Sequence, residues 1–114
     1  IATKSELLPL LDEKNRVVEE NTKFFNKKDT TLSEKKLLLV YNDIDEITPP
    51  DSEYYENGIL INSVKYFTSD SYEQKIYFDD DFVVTTIYEN YIKVRDVYSK
   101  NGSVIRVKNY EKAF

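Results

Sequence analysis

Three consecutive aspartates, Asp79-Asp80-Asp81, form the densest run of metal-capable side chains in the sequence, and carboxylate oxygens suit hard cations such as calcium or magnesium. A dedicated calcium loop also needs a central glycine and a bidentate glutamate further on, and neither is in place here. Three adjacent residues of a hairpin cannot all converge on one ion, so the run reads as a solvated turn and no metal is expected. Histidine and cysteine are both absent, which removes the commonest general base, the thiolate nucleophile and the usual transition-metal ligands. A serine or threonine nucleophile would have to rely on lysine or a carboxylate as its base, and no spacing singles out such a pair. Only two glycines are present, too few for a phosphate-cradling loop. The chain by itself is read as noncatalytic, with no cofactor.

A second pattern is of a different kind. The net charge is −5, yet residues 1–90 carry 10 basic and 19 acidic groups whereas residues 91–114 carry 6 and 2. The last strands are therefore the one basic stretch of an acidic chain. Tyrosines interleave with its cations, and tyrosine is amphipathic and enriched at interfaces. Tyr91, Lys93, Arg95, Arg106, Lys108 and Tyr110 are the candidate binding residues. For a single tyrosine, cross-strand packing is the simpler explanation; for the outward set as a group, an interface is the functional one. A pI of about 4.8 argues against nucleic acid as the partner.

The elements that must position these residues are strands. GILINSVKYF, EQKIYF, FVVTTIY, YIKVRDVY and SVIRVKNY follow one another between Gly58 and Tyr110, rich in β-branched and aromatic residues and separated by polar breaks. Asn57-Gly58 and Asn101-Gly102 are hairpin signals. Ser69-Asp70-Ser71, Asp79-Asp80-Asp81 and Glu89-Asn90 supply the remaining corners. Alternation puts Leu60, Val64 and Tyr66 on one side, with Ile76 and Phe78, Ile92, Val94 and Tyr98, and Ile105 and Val107 likewise inward. Lys93, Arg95, Arg106 and Lys108 then face outward with Tyr91 and Tyr110, above an ordinary core.

The first half admits two readings. Polar clusters near Asn15, Asp29, Asp43 and Gly58 recur every 14 or 15 residues, which suits a β-meander running from the beginning. Val17, Val18, Asn21, Phe24 and Phe25 also lie at helical spacing, so residues 12–28 could instead form a helix packed on a curved antiparallel sheet, an α+β fold. The meander is the main reading, a mainly β single domain with an N-terminal part (1–50) and an antiparallel sheet (51–114). Residues 1–11 would make a frayed turn or short helix around Pro9. Leu37–Tyr41 would be a strand buried on both faces or at an interface, and Pro49-Pro50 an extended hinge. No apolar run is long enough to cross a bilayer as a helix. The opening residue, Ile1, raises the expectation of a piece of a larger protein, and without cysteines the compartment cannot be read from redox chemistry.

From Tyr72 to Tyr110, strands end in an aromatic followed by an Asp, Asn, Lys or Gly turn, as in Tyr98-Ser99-Lys100-Asn101-Gly102. In this rhythm the chain resembles the extended β-sheet add-on domain of bacterial glycosyltransferases that modify serine-rich adhesins or wall teichoic acids. Tyr54-Tyr55-Glu56-Asn57-Gly58 suits short antitoxin-like β-repeat proteins as well. The transferase resemblance implies a cytoplasmic, noncatalytic module that binds a protein or glycosylated acceptor, or a sister subunit, through its sheet. The paired glutamates and glycine loop of such a transferase's donor site are missing, so no catalytic residue carries over.

Overall fold

A computed structural model describes residues 4–42, 45 and 47–111. They form nine antiparallel strands in one open sheet whose spatial order is the sequence order. The strands are β1 (Lys4–Leu11), β2 (Val17–Phe25), β3 (Thr31–Val40), β4 (Asp51–Glu56), β5 (Ile59–Tyr66), β6 (Tyr72–Tyr77), β7 (Phe82–Glu89), β8 (Ile92–Lys100) and β9 (Ser103–Asn109). The meander is thus the fold, and the helix considered for residues 12–28 is replaced by β2. Two hairpin partners decide that segment: Glu19 to Phe24 pair with Ser5 to Leu10 on one side and with Ser33 to Leu38 on the other. Helical spacing of five residues is a weak signal against two complete ladders of backbone hydrogen bonds. Residues 4–11 are likewise a strand, and Pro9 is accommodated because β1 lies at the sheet edge.

The turns explain the strand boundaries. Asp12 and Asn26 perform the same operation 14 residues apart. The Asp12 carboxylate accepts from the Lys14 and Arg16 amides, and the Asn26 side-chain oxygen accepts from the Lys28 and Thr30 amides. Each turn closes through a residue of positive φ, Asn15 or Asp29, residue types that tolerate the left-handed region. Asn57-Gly58 and Asn101-Gly102 have positive φ at both positions, the mirror-image turn that matches strand twist. The β7–β8 corner uses Asn90-Tyr91 in the same way, with φ of 52° and 63°. The corner expected at Asp43 lies outside the described residues. The sheet runs without a break from β3 to β4, so Pro49-Pro50 is part of a connection between paired neighbours rather than a hinge between two portions.

Five of the eight strand pairs contain a bulge, and each follows one rule. The unpaired residue is Val18, Leu32, Ile61, Val94 or Ile105. Each stands three positions after the last left-handed residue of its turn, Asn15, Asp29, Gly58, Tyr91 or Gly102. A bulge adds one residue to one strand and reverses the in-out alternation relative to the neighbour. The side assignments change accordingly. Leu60 pairs with Tyr55 while Asn62 pairs with Tyr54, so Leu60 lies on the face opposite Val64 and Tyr66.

No apolar side chain among the described residues is buried, and Asp96 is the single buried polar one. A one-layer sheet explains this, because none of the described residues packs over either face. The radius of gyration is 17.2 Å, against about 13 Å for a compact domain of this length. The ordinary core expected beneath one face is therefore absent. Leu37–Tyr41, expected to be buried on both faces or at an interface, is half-exposed with Val40 exposed, so it is not enclosed on both faces. Stability must come from ladder hydrogen bonds and cross-strand pairs.

Candidate functional site

One row of register defines the face that matters. Leu39, Ser52, Val64, Gln74, Thr86, Asp96 and Lys108 stand side by side on seven successive strands. Along the strands the same face carries most of the rings. Tyr66, Tyr72 and Tyr88 form a ladder across β5, β6 and β7, with centroids 5.0 and 4.5 Å apart. Phe78, Phe82 and Tyr98 form a second file, at 5.7 and 6.3 Å. Packing between neighbouring rings is what the tyrosine-rich strands achieve in place of a core.

At the β8–β9 corner of this face the rings meet cations. Asp96 is 4% exposed and accepts hydrogen bonds from the Thr86 hydroxyl at 2.7 Å and from the Tyr110 hydroxyl. The Lys93 ammonium stands 3.6 Å from the same carboxylate. Burial pushes the Asp96 carboxyl up, but the hydrogen bonds from Tyr110 and Thr86 and the Lys93 charge outweigh it and hold the group below its ordinary value. For Lys93 the burial that disfavours its charge is outweighed by Asp96 and Tyr110, so it is raised. The Tyr110 ring lies between two ammoniums, Lys93 at 5.0 Å and Lys108 at 4.9 Å from its centroid. Arg106 covers Tyr98 at 5.6 Å, within reach for a cation–π contact.

Of the six residues proposed from the sequence, this corner gathers four, Lys93, Arg106, Lys108 and Tyr110. Arg95 lies on the opposite face, paired with Ile87 and Asn109, and its Nε donates to the Asn109 side chain at 2.8 Å. The bulge at Val94 is the cause, because it sets Lys93 beside Tyr88 and leaves Arg95 on the other side. Tyr91 sits at the β7–β8 turn, away from the cluster. Its amide donates to the Asp70 carbonyl at 2.9 Å and its hydroxyl to the Ser69 carbonyl at 3.1 Å. Tyr98, expected on the inner side, joins the cations because it pairs directly with Arg106. Asp96, which the sequence reading did not select, is the centre. The signal that could have found it is its being the one acid among five basic residues in the 19 residues before Tyr110.

The Asp96 carboxylate is satisfied by three partners, the Thr86 and Tyr110 hydroxyls and the Lys93 ammonium. Two surface depressions lie toward the opposite face. One of about 350 Å³ is bordered by Asn21, Lys23, Lys36, Leu38 and Tyr55, and another of the same volume by Glu53, Ser63, Lys75 and Tyr77. Among the described residues no three carboxylates converge on a common point, and no helix is long and apolar enough to cross a membrane. No protein-family model, curated protein or solved structure matches the chain.

Proposed function

We propose that this sheet is a noncatalytic binding module whose aromatic face, at the β8–β9 corner, receives an acidic surface of a partner protein. The observation that carries the reading is the corner itself: Lys93, Arg106 and Lys108 held over Tyr110 and Tyr98, in a chain whose net charge is −5. Cations fixed over rings lose less freedom on binding than free side chains, so they act as preorganised partners for carboxylates. The unburied apolar side chains around them supply the contact area that a protein partner would cover. A protein suits this face better than a sugar. A sugar ring needs an open aromatic face, and at this corner the Tyr98 and Tyr110 rings carry cations. The strand rhythm shared with glycosyltransferase add-on sheets supports the same class of role, engagement of an acceptor protein without chemistry.

The test is panning of a displayed-peptide library on the purified chain, combined with light scattering after size exclusion. Recovered peptides should be acidic, and their binding should fall in Lys93→Glu but persist in Lys75→Glu, which alters the other face. A strictly monomeric chain that recovers no peptide would sink the reading.

A further inference from the structure

The aromatic face does not exhaust the basic corner, because β9 is also a sheet edge. Among the described residues no strand lies on its outer side, and it is exposed along all seven residues. The two edges of the sheet differ in how they meet this hazard. β1 carries Pro9 within it, a residue that cannot donate to an added strand. β9 has no proline and no acid, and it exposes Val104, Ile105 and Val107 at 61, 60 and 48%.

The ladder fixes which groups point out. The Tyr110 amide donates to the Val94 carbonyl, and the register continues as Asp96 with Lys108 and Tyr98 with Arg106. In an antiparallel pair the residues exchanging hydrogen bonds alternate with those that do not. Lys108 and Arg106 therefore bond inward to β8, and the amides and carbonyls of Val107 and Asn109 are directed outward. These are the groups a further strand would use.

Charge then selects the occupant. A second copy adding its own β9 antiparallel and centred on this strand meets like charge. A twofold axis at Arg106 sets that residue against its equivalent, and one at Val107 sets Arg106 against Lys108. Like charges directly opposite each other destabilise a pair. Asp96 cannot relieve this, because Tyr110, Thr86 and Lys93 already occupy it. We infer that the outer edge of β9 is a strand-addition site for an extended acidic segment of a partner protein. The segment carries carboxylates two residues apart opposite Arg106 and Lys108, with a β-branched residue between them on the Val107 side. This rests on the protein-binding reading above and names the partner's chemistry.

Fluorescence anisotropy with two labelled eight-residue peptides, one alternating Glu and Val and the other Lys and Val, tests it. The glutamate peptide should bind about tenfold tighter or more, and the Arg106→Glu/Lys108→Glu variant should reverse the preference. Val107→Pro removes an outward donor without touching the inner ladder, so it should keep the circular dichroism spectrum and lose the peptide. Equal binding of both peptides, no binding of either, or undiminished binding to folded Val107→Pro would each overturn the inference. A dimer by light scattering that Val107→Pro abolishes would assign the edge to a second copy and overturn it too. If neither peptide binds while panned ligands still depend on Lys93, the edge site falls and the face reading stands.

Discussion

Tyr110, one position beyond the end of β9, donates its hydroxyl to the carboxylate of Asp96 on β8, and its amide donates to the carbonyl of Val94. One residue thus fastens the last strand twice, once through backbone and once through the single buried side chain of the described sheet. Replacing Tyr110 by Phe keeps the ring between Lys93 and Lys108 and removes only the donor. A buried carboxylate then loses one of its partners, a loss of about 1–3 kcal/mol. Urea denaturation should show that loss, and a change below about 0.5 kcal/mol would mean that water replaces the phenol.

The same carboxylate makes stability depend on pH. Its folded value lies below the ordinary 3.8, so the unfolded chain takes up a proton first as the solution is acidified. The contribution is complete above 3.8 and disappears as pH falls through the folded value. Asp12 moves in the same direction, chiefly through the Arg16 amide, but it sits half-buried at a turn, where solvent screens it more than Asp96. Thermal melts between pH 6 and pH 2 should therefore decline at the acid end, and the decline should be shallower in Asp96→Asn. Parallel curves for the two proteins would place the acid sensitivity elsewhere.

Tyr91 occupies the second position of a mirror-image turn with φ of 63°, where its counterparts in the sheet are Gly58 and Gly102. A bulky residue in the left-handed region costs about 1–2 kcal/mol. Against that cost stand an exposed hydroxyl bond to Ser69 and proximity to the Tyr66 phenol, which burial, Tyr72 and Tyr91 together raise. Tyr91→Gly should raise the melting temperature, whereas Tyr91→Phe should lower it slightly. A lower melting temperature in the glycine variant would show that the ring's contacts outweigh the strain.

Without a core, the cost of truncation should follow the ring ladders rather than hydrophobicity. Tyr72 contacts both Tyr66 and Tyr88, and aromatic pairs contribute about 0.5–1.5 kcal/mol each beyond area. Leu10 is 51% exposed on the edge strand. Tyr72→Ala should cost about 2 kcal/mol or more, and Leu10→Ala less than about 1 kcal/mol. Equal costs in chemical denaturation would indicate a second layer over β1.

The strands and their turns were legible in the chain because their causes are local. Asn57-Gly58, Asn101-Gly102 and the 14-residue echo of Asp12-Glu13-Lys14-Asn15 in Asn26-Lys27-Lys28-Asp29 act through a few neighbouring bonds, and the basic bias of the last strands is a matter of composition. The faces were not legible. Alternation assigns sides only until a bulge intervenes, and Val94 looks like any other strand valine until Tyr88 is paired with Lys93 and Ile87 with Arg95. That one extra residue separated Arg95 from Lys93 and left Asp96 at the centre of the corner. The missing core was hidden for a related reason. A strand that alternates apolar and polar residues expects a covering layer, and whether one exists depends on where the chain goes next. Here every connection led to the adjacent strand of the same sheet, so the aromatic face stayed open and its tyrosines packed sideways.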